Sequence, residues 1–214
     1  CSRRLKLLIY GIIRILISVC FLVTIFFFIK RFLKSPKKRK IAIILLFFVG
    51  IAFCAITFLF PIENFVWTFS SPEAVFKYAG TGEIVDVIDG KHSCMIIYSN
   101  GRNSYSTMIA HKDANGYKLS SALDYRVTSS INEKGVSAIT YRLSQTTDNY
   151  VTVLWFSNES NSTIKDNKSS TFFSISSDIS NGESPNTIFS YAFVENLNDE
   201  YALSLNNSEF FKLN

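Results

Sequence analysis

Twenty consecutive residues, Ile41 to Phe60, carry no charge. In a helix that rises 1.5 Å per residue such a run covers about 30 Å, the thickness of a bilayer's hydrocarbon core. A signal peptide would be shorter and would end in small residues at a cleavage site, so the run predicts a transmembrane helix. A preceding stretch, Ile15 to Ile29, is fifteen uncharged residues and too short to span. Extending it towards Leu7 reaches the required length but takes in Arg14. A long guanidinium stem near a helix end can snorkel to the headgroups. Arg14 is therefore read first as a lipid-phosphate contact, and second as an intramembrane contact for a partner protein. The expected helices run over about 8–29 and 41–60.

Between the two runs lie Lys30, Arg31, Lys34, Lys37, Lys38, Arg39 and Lys40, seven cations in eleven residues. Loops of this kind stay on the cytoplasmic side, where anionic lipid attracts them. Residues 30–40 thus form a basic, topogenic cytoplasmic loop, and both ends of the hairpin are expected outside. Arg3, Arg4 and Lys6 oppose this orientation, with fewer charges. Ser35 and Pro36 mark the turn. Gly50, Cys54 and Ala55 form a small-residue patch suited to packing of the two helices. The chain begins at Cys1 rather than Met, from which a start further upstream, or one processed away, is expected.

The charge balance divides at the same place. Residues 1–60 hold 11 Lys and Arg and no acid; residues 61–214 hold another 11 and all 17 acids. The overall +5 is therefore +11 on a membrane hairpin and −6 on an outer domain. This excludes one soluble globule, and it excludes a nucleic-acid partner inferred from the overall charge. Residues 61–69, with Phe65, Trp67 and Phe69, read as an aromatic interfacial anchor and tether.

From residue 70 to 214 the pattern becomes that of an extracytoplasmic domain. Ser70-Ser71-Pro72-Glu73 starts a short helix: a Ser N-cap, Pro in the first turn and an acid at the positive end. Strands then alternate with Asp89-Gly90, Asn100-Gly101 and Asn115-Gly116, turn pairs that tolerate positive φ. They predict a four-stranded meander ending near Leu119. After a looser stretch, Val136–Leu143 alternates, with Ile139, Tyr141 and Leu143 on one face. Asp148-Asn149 reads as a turn, Tyr150–Phe156 as a central strand apolar on both faces, and 157–170 as a long exposed loop. Thr171–Ser176, Ile188–Val194 and Tyr201–Leu205 complete the set. The expected fold is a two-helix transmembrane hairpin followed by a mainly-β, antiparallel meander or sandwich-like domain with one short N-terminal helix. A sub-boundary is expected near 122–132.

No catalytic constellation, cofactor motif or metal-ligand spacing emerges. His92 and Cys94, two apart on an expected strand, allow a thiol–imidazole pair, but Ile96 and Tyr98 continue that face as a core face. Asp86, Asp89 and Gly90 lack the alternating oxygen ligands of a calcium loop and read as turn chemistry. Four Asn-x-Ser/Thr sequons, at Asn158, Asn161, Asn167 and Asn206, match the roughly four that chance gives in so Asn- and Ser-rich a chain.

The segments Phe69-Ser70-Ser71-Pro72-Glu73-Ala74-Val75-Phe76-Lys77-Tyr78 and Ile84-Val85-Asp86-Val87-Ile88-Asp89-Gly90 resemble uncharacterised membrane-anchored extracytoplasmic proteins of low-GC Gram-positive bacteria. Ile96-Ile97-Tyr98 and Asn103-Ser104-Tyr105-Ser106 continue the likeness. It implies a bacterial cytoplasmic membrane and a cell-envelope setting, and no known activity.

The leading expectation is a multi-pass membrane protein that is not an enzyme and uses no cofactor. It displays its C-terminal domain outside and serves as a binding domain or accessory subunit. Its partners are the lipid bilayer and a membrane protein or envelope component of unidentified kind. An envelope hydrolase and a ligand sensor are the alternatives.

Overall fold

The computed structural model describes residues 2–101, 104–121, 123–131, 135–157, 163–177, 186–206 and 211–213, with the side chains of 2–14, 58, 131, 177 and 186 outside that description. Two helices come first, α1 (Ser2–Phe32) and α2 (Pro36–Leu59). Both are long and apolar enough to cross a membrane. Both begin earlier than expected; for α2 the reason is that Pro36 suits a helix's first turn and the basic residues after it are good helix formers. At 31 residues α1 is about 46 Å long, more than a bilayer core requires. The excess brings it alongside the short helix of the domain. The two helices pack through Gly50, where an added Cβ would lie 2.8 Å from Leu22 Cδ2, and through stacked Phe21 and Phe53, 4.7 Å between centroids. Their other faces are uncovered apolar surface, with Phe27, Phe28, Phe47 and Phe48 all largely exposed.

A 3-10 turn (Ile62–Phe65) leads to α3 (Pro72–Ala79), whose N-cap Ser71 hydroxyl accepts from the Ala74 N–H at 3.2 Å. Among the described residues twelve strands follow, antiparallel where paired. The first sheet has the order β1–β2–β3–β4: β1 (Glu83–Asp89), β2 (Ser93–Ser99), β3 (Tyr105–Asp113) and β4 (Gly116–Leu119). It is the meander that the turn pairs announce. The second sheet has the order β5–β6–β7–β10–β9. Its strands are β5 (Tyr125–Ile131), β6 (Ser137–Leu143), β7 (Asp148–Ser157), β9 (Phe173–Ser177) and β10 (Asn186–Glu195). The third joins β12 (Phe211–Lys212), β11 (Ala202–Leu205) and β8 (Ile164–Asp166).

These elements stack as four layers. Val75 and Phe76 of α3 lie on Cys94, Ile96 and Ala110, one face of the first sheet. Its other face, Met95, Ile97 and Ile109, meets Leu143, Tyr150, Phe189 and Tyr191 of the second sheet. The far side of the second sheet, Val151, Val153, Trp155, Ala192 and Val194, is covered by Ile164 and Leu203 of the third, and by Tyr201. Strands β2 and β7 are thus buried on both faces for most of their length, which explains their unbroken apolar stretches. Each such side chain contributes about 1.5–3 kcal/mol by leaving water. The chain passes from the first sheet to the second between Leu119 and Tyr125, and the two sheets share one core.

Several expectations need correction. Residues 125–131, read as loose, form edge strand β5, because its alternate Tyr125 and Val127 carry strand preference among polar neighbours. The expected loop 157–170 contains β8, with Ile164 and Asp166 buried; its residues 158–162 lie outside the described residues, along with the sequons Asn158 and Asn161. Asp148-Asn149 is no turn but the buried start of β7, the bend falling at 144–147. His92 precedes β2 and is exposed, whereas Cys94 is fully buried, so the two do not share a strand face.

The sequence 61–69 is bonded into the domain. The Asn64 amide donates to the Leu119 carbonyl at 2.8 Å, and its oxygen accepts from the Leu119 N–H at 3.0 Å. The Ser121 hydroxyl donates to the Leu59 carbonyl at 2.6 Å, satisfying one of the orphan acceptors at the end of α2. Phe69 and Tyr117 exchange both backbone hydrogen bonds at 2.8 Å. Gly116 sits at φ +131°, and a side chain there would collide with the Phe69 carbonyl, so that closeness requires glycine.

Candidate ligand groove on the outer sheet

The seven cations of the expected topogenic loop gather at the turn between α1 and α2. Lys30 and Arg31 end α1, Lys34 lies in the turn, and Lys37, Lys38, Arg39 and Lys40 open α2. Arg39 turns back and donates to the Leu33 carbonyl through Nε at 3.3 Å and through a terminal nitrogen at 3.1 Å. Lys30 stands 4.9 Å over the Phe26 ring. Arg14 is in α1, with its side chain outside the described residues. The three aromatics of 61–69 divide. Phe65 is 88% exposed and Trp67 is partly exposed, while Phe69 packs on Tyr78 at 5.4 Å and against the α3 core.

Within the domain, titratable groups fall into three settings. The first is a buried knot between the first two sheets. Asp148 Oδ2 accepts from the Ser93 hydroxyl and from the His92 backbone N–H, each at 2.7 Å, and Ser93 also meets the Tyr150 hydroxyl at 2.8 Å. Burial pushes the Tyr150 hydroxyl well above its ordinary range, and pushes the Cys94 thiol nearby up to about 12. A thiol held neutral under apolar cover is no nucleophile. The second is the β1 edge. A bulge between Ile84 and Asp86 re-aims Asp86, which accepts from the Tyr191 hydroxyl at 2.8 Å and the Val87 N–H at 2.8 Å. His111 pairs with Asp124 at 2.9 Å, and Asp124 also caps the Ser121 N–H. Each of these groups holds one element to another. Among the described residues no three His, Cys, Asp or Glu side chains cluster as metal ligands.

The third setting is open. The third sheet covers β7 and β10 but stops short of the outer strands, and there the second sheet's face turns polar. Cross-strand register places Arg126 opposite Arg142, Thr128 opposite Thr140 and Ser130 opposite Ala138, all on that face. Leu197, Asp199, Tyr201 and Leu213 wall a groove of about 260 Å³ over them. Arg142 donates to Asp199 Oδ1 at 2.8 Å and to the Asn198 carbonyl at 3.3 Å, while its buried Nε has no partner. The Arg142 guanidinium, chiefly through that hydrogen bond, holds the exposed Asp199 carboxyl below its ordinary range, and Arg126 adds to the effect. Two arginines directly opposite on adjacent strands repel, and among the described lining residues one exposed acid answers both.

Sequence reading missed this groove. Its strand β5 falls in a stretch that reads as loose, and without the β5–β6 register Arg126 and Arg142, sixteen positions apart, have no reason to be paired. The weak signal was the alternation Arg126, Thr128, Ser130, a period-2 polar stripe on a strand. Comparison of the chain with protein-family models, with curated proteins and with solved structures finds no match.

Proposed function

We propose that the chain is a membrane-held binding protein. The hairpin spans a bilayer with its basic turn on the cytoplasmic face. The β domain stands on the opposite face and presents its polar groove to ligands there. The domain is non-enzymatic in this reading, and it serves as an interaction module of the membrane surface.

The observation that carries the reading is the placement of charge along the hairpin. Seven cations collect at one end of α1 and α2, and the acidic domain is bonded to the other end through Leu59 and Ser121. Between them lies uncovered apolar helix surface that water would penalise and lipid would not. The bonded junction at Asn64, Ser121 and Phe69 supports a fixed presentation of the domain relative to the membrane rather than a swinging tether.

The test is labelling of intact cells with a membrane-impermeant maleimide. Lys168→Cys is expected to react from outside, and Lys37→Cys only after permeabilisation. The reverse pattern would overturn the orientation.

A further inference from the structure

We infer that the groove over β5 and β6 takes a monomer-sized sugar acid, its carboxylate on the Arg126–Arg142 pair and its hydroxyls on Thr128 and Thr140. This rests on the binding-domain reading above and names the ligand class of that same groove.

The electrostatics select an anion. The domain has net charge −6, yet its groove floor brings two guanidinium groups together in cross-strand register with only Asp199 answering them among the described residues lining it. Holding like charges opposite each other is unfavourable for the sheet, and a bound anion relieves it. Asp199 already shows the preferred chemistry: a carboxylate oxygen on the Arg142 fork at 2.8 Å, supplied by a loop residue that is 95% exposed. That carboxylate is a self-ligand on the exposed side of the fork, which an incoming carboxylate can displace.

The rest of the groove specifies what the carboxylate is attached to. One strand step of two residues, about 7 Å from the arginine pair, lies the Thr128–Thr140 pair, whose hydroxyls both donate and accept. Tyr201 supplies an apolar ring wall, its own hydroxyl being committed to Asp166 at 2.9 Å. An acid-binding pair, hydroxyl partners a ring's width away and an apolar ring in the same lining describe a site for a uronic-acid type of ligand. At about 260 Å³ the groove suits one ring and lies below the size usual for larger ligands.

The full chain in detergent micelles, titrated with glucuronate, glucose and inorganic phosphate and followed by saturation-transfer NMR, tests this. Glucuronate is expected to bind saturably and glucose not. Arg126→Ala should weaken glucuronate at least tenfold without lowering the melting temperature, since Arg126 is exposed and its removal relieves the repulsion with Arg142, and Asp199→Asn should tighten it by removing the competing carboxylate. Equal binding of glucose, binding of phosphate without glucuronate, no saturable binding, or indifference to Arg126→Ala would each overturn the assignment. A negative titration alongside the expected maleimide labelling would refute the ligand class while leaving the membrane-held reading standing.

Discussion

Asp148 and Ser93, 55 residues apart, are joined at 2.7 Å in the fully buried seam between the first and second sheets. The same carboxylate oxygen takes the His92 N–H, and Ser93 passes the network on to the Tyr150 hydroxyl. An apolar sandwich core is non-directional, so two sheets can slide over each other at little cost. A buried carboxylate with fixed donors permits one alignment.

Removing that carboxylate should therefore destabilise strongly. Asp148→Ala leaves the Ser93 hydroxyl and the His92 N–H short of an acceptor in a dry seam, and should cost about 3 kcal/mol. Gly90→Ala tests the same knot from the other side, because its Cβ would lie 2.5 Å from Asp148 Oδ2 and 2.7 Å from the Tyr150 hydroxyl. Near-ultraviolet circular dichroism melts of the full chain in micelles should show both variants well below wild type, and a wild-type melt for Asp148→Ala would deny the knot a structural role.

The junction at Asn64 should act on docking rather than on the core. Asn64→Ala removes both hydrogen bonds to Leu119, at about 1 kcal/mol each. Amide exchange should speed up over 61–69 and at Leu119 while β7 stays protected. Asn64→Asp should recover only half of the effect, since a carboxylate accepts from the Leu119 N–H but cannot donate to its carbonyl.

Cys94 should be inert and should make the fold alkali-sensitive. Its folded pKa, pushed up to about 12 by burial, lies above the roughly 8.5 of a free thiol. The neutral thiol is thus favoured in the folded state. Its contribution is fully present below about pH 8.5 and is lost as pH rises towards 12. Iodoacetamide at pH 8 should leave Cys94 unmodified in the native chain and modify it in urea. Comparing urea midpoints at pH 7 and 10 should show a smaller alkaline loss for Cys94→Ala. Tyr150 and Tyr201, raised in the same direction by burial, maintain part of the loss in that variant.

Gly50 should report on the hairpin. Gly50→Ala meets only the flexible end of Leu22 and should be nearly neutral. Gly50→Leu forces the helices apart and should cost about 1–3 kcal/mol. Adding Leu22→Ala should restore much of that stability in a thermal melt of the micellar protein, and no rescue would mean that Gly50 and Leu22 do not face each other.

Legibility in the sequence followed the range of the interactions. The two apolar helices, the short helix after Ser71 and the β1–β4 meander were readable, because a long uncharged run, an N-cap and Asp-Gly or Asn-Gly turns act within a few residues. Asn64 reads as part of a short interfacial tether, since nothing local announces a side chain that binds Leu119. Asp148-Asn149 looked like a turn for the same reason: the residues that make burial of an aspartate tolerable, Ser93 and the His92 N–H, lie on another sheet.

What the sequence by itself determined is the division of the chain, with cations and lipid-compatible helices first and an acidic, strand-patterned remainder after. Those are properties of composition and period, and they survive any arrangement of the strands. Only the tertiary structure decided that the remainder stacks as one helix and three sheets, that Phe69 belongs to the domain's core, and that Arg126 stands beside Arg142. Each depends on which strands pair and in what register. Register is set by the fit of whole faces, since a shift of one residue would turn every side chain of a strand to the opposite side.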